Sequence, residues 1–101
     1  MRRNLPYNEG MASNESRSWW VYILRCGDGT LYTGIALDVP ARLAQHRAGT
    51  GARYTRGRTP LELVYQEPSP SHSSAARREA AIKRASRREK LELIQSTGVP
   101  L

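Results

Sequence analysis

The sequence is short of sulfur, of acid and of long apolar runs, and each shortage closes off a class of protein. A single cysteine, Cys26, among 101 residues allows no internal disulfide and no multi-cysteine zinc site. Cys26 ends a strand-like run beside a turn, where a small strand residue explains it, and no CxxC or Cys/His spacing accompanies it. A reducing cytoplasm suits such a chain. No apolar run approaches the length a bilayer requires. The opening stretch, MRRNLPYNEGMASNESRS, has two arginines but nothing apolar behind them, which is not a secretory signal. Internal repeats are absent as well. At this length the chain is one domain with a modest core.

Acid is scarce in a patterned way. Nine acidic residues face sixteen basic ones, a net charge of +7. Nearly all the bases are arginine, whose planar fork matches phosphate. Residues 42–58 hold Arg42, Arg47, Arg53, Arg56 and Arg58 and no acid. Residues 77–90 hold Arg77, Arg78, Lys83, Arg84, Arg87, Arg88 and Lys90 against Glu79 and Glu89. Polyanions are the natural partners of such segments, nucleic acid first among them. A generally Arg-rich composition is the competing explanation of the charge taken alone.

Along the chain, residues 1–17 are rich in Asn, Ser, Glu and Gly and read as a disordered tail. The domain is expected over 18–97, with a short tail over 98–101. Trp19 to Arg25 and Thr30 to Ile35 read as two strands, with the hairpin chemistry of Gly27-Asp28-Gly29 between them. A three-residue loop pairs Cys26 with Thr30, Leu24 with Tyr32 and Tyr22 with Gly34. Tyr22 and Tyr32 then lie diagonally on one sheet face, whereas a two-residue turn would part them. Asp38 caps a helix from Val39 to about Arg47, with Pro40 in its first turn. Its inward stripe, Val39, Arg42, Leu43 and His46, is half polar. A Gly- and Arg-rich loop over 49–60 precedes a third strand from Leu61 to Glu67. That strand alternates Leu61, Leu63 and Tyr65 against Glu62, Val64 and Gln66. Pro68 opens a turn, and Ser73 or Ser74 caps a helix to about Arg84. Ser86 and Glu89 form a capping box for a last helix to about Gln95, with Gly98 and Pro100 as stop signals. The fold class is α+β, a small three-stranded antiparallel sheet flanked by helices in the order β-β-α-β-α-α.

Several side chains could carry chemistry, and each has a plainer explanation. Tyr22 and Tyr32 are either ordinary strand residues or the working face of a site. Arg42 and His46 are either a snorkelling Arg and a satisfied core His, or a phosphate clamp beside a proton-handling imidazole. Glu79 either pairs with Lys83 four residues on, or is the lone carboxylate ligand of a Mg²⁺ ion that keeps most of its waters. Arg53 and Tyr54 suit a nucleic-acid backbone with a stacked base, or a solvated loop. Lys83, Lys90 and the Arg pairs read as generic phosphate contacts or surface charge.

Taken in order, V-Y-I-L, L-Y-T-G-I-x₆-R-L-x₂-H, G-A-R-Y-T, P-L-E-L-V-Y and E-A-A-I-K resemble the GIY-YIG nuclease superfamily, in particular its small stand-alone bacterial members related to structure-specific endonucleases. The resemblance runs from about Trp19 to Ile94. The first motif falls on Trp19-Trp20-Val21-Tyr22 and keeps only Tyr22. The second falls on Tyr32-Thr33-Gly34, with Thr in place of Ile. The resemblance implies metal-dependent hydrolysis of phosphodiester bonds in DNA, single-stranded or branched, in repair or recombination. Tyr22, Tyr32, Arg42 and His46 would be catalytic, and Glu79 would hold one Mg²⁺ or Mn²⁺ ion. Gly34, Arg53, Tyr54 and Lys83 would meet substrate, Gly34 by letting backbone approach phosphate. Cationic surroundings would lower the pKa of whichever tyrosine helps deprotonate the attacking water. The final-helix Asn that some relatives use has no clear counterpart near Lys90 and Leu91. A non-catalytic nucleic-acid-binding module, and a protein docking its basic helices on an acidic partner, are the alternatives.

Overall fold

The computed structural model describes residues 18–96; the segments read as tails, 1–17 and 98–101, lie outside them, as do Gly98 and Pro100. Strands β1 (Trp19–Arg25), β2 (Leu31–Ala36) and β3 (Glu62–Ser69) form one antiparallel sheet in the order β2-β1-β3. Helix α1 (Val39–Arg47) follows the hairpin, and α2 (His72–Arg84) and α3 (Arg87–Ser96) follow β3. A single 3₁₀ turn, Arg53–Thr55, lies in the loop between α1 and β3. The element order is the expected β-β-α-β-α-α. Among the described residues no helix is long and apolar enough to cross a membrane.

The hairpin has the even register. Leu24 pairs with Tyr32 and Tyr22 with Gly34, and the Cys26 N–H donates to Thr30 O at 2.8 Å. Asp28 stiffens the turn by accepting from the Thr30 backbone N–H at 3.1 Å and from its hydroxyl at 2.7 Å. One sheet face buries Val21 and Ile23 against Ala75 and Ile82 of α2, with Leu93 and Ile94 of α3 packed on the same cluster. The other face buries Tyr22, Leu24 and Ala36 with Val39 of α1 and Leu61, with Leu43 and Tyr32 partly buried beside them. Each face thus takes its own helix layer, and both faces of β1 read as apolar because both are covered.

Two expectations change. A plain alternation in β3 would set Leu61, Leu63 and Tyr65 on one face. Instead the β1–β3 register shifts: Ile23 pairs with Tyr65 but Leu24 pairs with Leu63, leaving Val64 as the extra residue of a bulge. Leu61 and Leu63 therefore join the α1 face while Val64 and Tyr65 join the α2 face. Tyr65 there donates its hydroxyl to Glu67, whose carboxylate also takes the Arg78 guanidinium at 2.9 Å, tying α2 to β3. The second change is the start of α2. Pro68 belongs to β3, which an edge strand tolerates because one side of it makes no ladder bonds. The cap is then Ser71, whose Oγ accepts from Ser74 N at 3.1 Å, and not Ser73 or Ser74. Asp38 caps α1, and Ser86 and Glu89 exchange their capping-box bonds at 2.9 and 3.1 Å, as read.

The loop over 49–60 is fastened to the hairpin tip. Gly27 N–H donates to Arg58 O at 2.6 Å, and Arg58 bonds Asp28 at 2.5 Å. A Cβ on Gly27 would lie 2.3 Å from Thr59 O, a backbone atom with nowhere to go, whereas Gly29 has φ +87° and open space around it. Gly27→Ala should therefore cost roughly 1–3 kcal/mol as an overpacked site and loosen the loop. Gly29→Ala should cost roughly 1–2 kcal/mol from its left-handed backbone alone. Amide NMR checks this: Gly27→Ala should move resonances throughout 49–60, and Gly29→Ala only those of the hairpin. Equal spread from both would break the fastening argument.

Candidate active site

The even register places Tyr22 and Tyr32 together, their ring centroids 6.4 Å apart. Helix α1 brings His46 against both. Its Nε2 lies 2.8 Å from the Tyr22 hydroxyl, and its ring stands edge-on to Tyr32 at 5.3 Å. His46 and Tyr22 are only 1% exposed, so this is a buried polar contact. Burial without a partner would cost each group a few kcal/mol, which is why the pair must form. Arg42, one turn earlier on α1, lies close enough to act on the Tyr22 hydroxyl and is steadied by Gln45 Oε1 at 2.8 Å.

The remaining candidates gather around these. Tyr54 stacks on Tyr32 with centroids 5.7 Å apart and planes 28° apart, and the Arg58 guanidinium lies 4.3 Å from the Tyr54 ring centre. Tyr54 is 41% exposed, so this platform faces solvent. Glu79 on α2 comes near enough to oppose ionisation of both Tyr22 and Tyr32, and Lys83 near enough to favour that of Tyr32. Lys83 Nζ and Glu79 Oε2 are 3.2 Å apart, so the plain pairing and the approach to the tyrosines coexist. Arg53 is exposed on the same 3₁₀ turn as Tyr54.

Gly34 packs directly against the two tyrosines. It is buried, and a Cβ there would sit 2.6 Å from the Tyr22 hydroxyl and 3.1 Å from the Tyr32 ring. The missing side chain makes room for the Tyr22 phenol on the opposite strand.

The expected lowering of the tyrosine pKa values is overturned. Tyr22 is pushed up to about 12, first by burial and then by Tyr32 beside it, although Arg42 pulls the other way. Tyr32 is also raised, mainly by burial, against the pull of Lys83 and Arg42. His46 moves down, through burial first and Arg42 second, so its neutral form is favoured.

Sequence reasoning missed the loop that wraps His46. Gly51 passes so close that a Cβ would lie 2.4 Å from Nδ1. Ala52 N–H points at Nδ1 from 3.2 Å, and the Thr55 hydroxyl is 3.1 Å from the same atom. Thr55 is fully buried. A Gly-rich loop gave no sign that two of its small residues would close over an imidazole; GARYT reads as solvent-facing.

Among the described residues no three His, Cys, Asp or Glu side chains cluster. Glu79 is the carboxylate that acts on both tyrosines, and its hard oxygens would suit a divalent ion that retains most of its waters. Lys83 would have to give way to it.

The matches to known proteins agree with this geometry. A family model described as the GIY-YIG catalytic domain matches residues 18–92. UPF0213 proteins of Streptococcus sanguinis and Staphylococcus epidermidis are 51% and 53% identical over 76 residues, covering 75% of this chain and 87% and 93% of theirs. The NMR structure of the UPF0213 protein of Bacillus halodurans is 46% identical, with a TM-score of 0.54 over 82% of this chain and 88% of its own. That of an E. faecalis protein is 34% identical, with a TM-score of 0.56 over 78% of this chain and 84% of its own.

The lowered pKa of His46 has a consequence for stability. In the unfolded chain the imidazole takes a proton at its ordinary 6.5, while in the native site it resists until lower pH. Between those values the unfolded state holds more protons, so stability falls as pH falls. Urea unfolding across this range should show full stability above pH 6.5 and steady loss below it, and His46→Gln should flatten that dependence. Parallel slopes in the two proteins would mean that His46 titrates as it does unfolded.

Proposed function

The chain belongs to the GIY-YIG family, and from that premise we propose that it is a metal-dependent endonuclease that hydrolyses phosphodiester bonds in DNA. The observation that carries this reading is the buried Tyr22–His46 contact opening on Arg42, with Glu79 beside it, in a chain of net charge +7. A purely structural tyrosine–histidine pair would not need an arginine and a carboxylate from two further positions.

Each residue has a role in keeping with its surroundings. Arg42 meets the phosphate and neutralises charge that grows on its oxygens, a transition-state contribution. Glu79 would hold Mg²⁺ or Mn²⁺, which when bound supplies positive charge to the phosphate and the leaving oxygen. Tyr22 orients the attacking water and accepts its proton in the ionised form; Tyr32 closes the side of the cleft. Tyr54, with Arg58 against its ring, offers a stacking surface to an unpaired base, and Arg53 and Lys83 meet backbone phosphates. Stacking of that kind favours single-stranded or branched DNA over intact duplex.

The direct test is incubation with labelled single-stranded, duplex and branched DNA in Mg²⁺, Mn²⁺ or EDTA. Cleavage should need the metal, and Glu79→Ala should abolish it while binding persists. Arg42→Ala should slow turnover about a hundredfold to a thousandfold, whereas Arg88→Ala, on the exposed Glu92-paired Arg88, should change it little. Binding without cutting under every metal would leave a nucleic-acid-binding module instead. Matched effects of the two arginine variants would reduce Arg42 to a generic contact.

The raised Tyr22 pKa adds a second check. With a value of about 12, the phenolate is scarce at neutral pH and its share grows with pH. A rate that needs it should rise about tenfold per pH unit through the neutral and mildly alkaline range. Single-turnover rates should show that slope, and Tyr22→Phe should lose it with most of the activity. A flat profile in the wild type would remove proton acceptance by Tyr22 from the limiting step.

A further inference from the structure

We propose that Thr55 is a positioning residue that, with the Ala52 N–H, holds His46 as its Nε2–H tautomer, so that His46 is a fixed hydrogen-bond donor to Tyr22 and not the acceptor of its proton. The contacts allow two networks, and they differ in one atom's proton. In the first, Tyr22 O–H donates to Nε2, Nδ1–H donates to Thr55 Oγ1, and the Thr55 hydroxyl donates to Ala52 O at 2.9 Å. That chain would let His46 serve as a base towards Tyr22. It fails at the Ala52 N–H, which points at Nδ1 from 3.2 Å and would face a second N–H head on. A backbone N–H can only donate, so this contact weighs against the first network, and the Thr55 hydroxyl adds the second donor that excludes it.

In the second network Nδ1 is bare. Its single lone pair is shared by the Ala52 N–H and the Thr55 hydroxyl in a three-centre bond, and Nε2–H donates to the Tyr22 oxygen. Ala52 O still accepts from Thr55 N–H at 3.2 Å, and the one donor released is the Tyr22 O–H, the proton whose loss the reaction requires. Gly51 makes the arrangement possible, since any side chain there would collide with the imidazole. The loop is in turn pinned to the hairpin through Arg58 and Asp28, so the donors aimed at Nδ1 do not drift.

The consequence for the reaction rests on the nuclease reading. Tyr22 gives up its own proton to solvent water in the cleft, and the phenolate left behind keeps the Nε2–H bond from His46 and the charge of Arg42. Tyr32 on β2 and Glu79 on α2 oppose that ionisation, and Lys83 acts on Tyr32. A fixed imidazole donor would add to the pull of Arg42 on ionised Tyr22.

Long-range ¹H–¹⁵N NMR of His46 in the full-length protein tests the tautomer without any activity. The wild type should show a bare Nδ1 and a protonated Nε2. Thr55→Val, which keeps shape and removes the hydroxyl, should give mixed tautomers and a pH–rate line displaced about one unit to alkaline, a tenfold slower rate at fixed pH. Thr55→Ser should restore both. A protonated Nδ1 in the wild type, or a valine variant with unchanged tautomer and rate profile, would overturn the proposal. If the tautomer is as stated but no DNA is cut, the nuclease reading fails while the positioning role stands. Amide spectra of both variants confirm that each is folded.

Discussion

Three residues, and not two, separate Cys26 from Thr30, and the parity of that turn decides what the rest of the molecule can build. With the even register Tyr22 sits across from Gly34 and diagonal to Tyr32, so both phenols project to the face that α1 covers. A slip of one residue would set Tyr22 and Tyr32 on opposite faces of the sheet. Gly34 supports the same parity from the partner strand, because the Tyr22 hydroxyl occupies the space of its missing side chain. Asp28 and Gly27 then serve twice. They shape the turn, and they anchor the loop that closes over His46.

The site sets burial against charge. A chain this basic was expected to favour ionised tyrosine, yet burial and the neighbouring phenol outweigh Arg42 and Lys83. Desolvation acts at contact range, while the pull of partly exposed cations is weakened by the water and salt around them. The same burial that raises the tyrosines lowers His46, so all three groups are held neutral in the free protein. Electrostatic work remains for whatever enters the cleft, in keeping with a partner that brings its own charges.

Local signals were legible where the physics is local. The caps at Asp38 and Ser86, the extent of α1 and the hairpin register each depend on a few neighbouring residues, and each was read correctly. The errors fall where a distant element decides. The alternation of Leu61, Leu63 and Tyr65 breaks because a bulge against β1 switches faces, and nothing inside LELVYQE announces it. Pro68 looks like a terminator until the strand order makes β3 an edge. Of the candidate residues, the inward stripe of α1 pointed to Arg42 and His46, and turn parity pointed to the two tyrosines. Thr55 and Gly51 carried no such periodicity, since a loop residue's partner is set by where the loop is tethered.

The sequence by itself determined the element order, the shared face of Tyr22 and Tyr32, the polar stripe of α1 and the basic character of the surface. These follow from turn length, helical period and composition, which act over a few residues at a time. Only the tertiary structure decided that Gly34 shelters a phenol, that both tyrosines are harder to ionise and not easier, and that Ala52 and Thr55 address the far nitrogen of His46. Those outcomes depend on how much water three separately folded segments exclude when they meet, and no single segment contains that information.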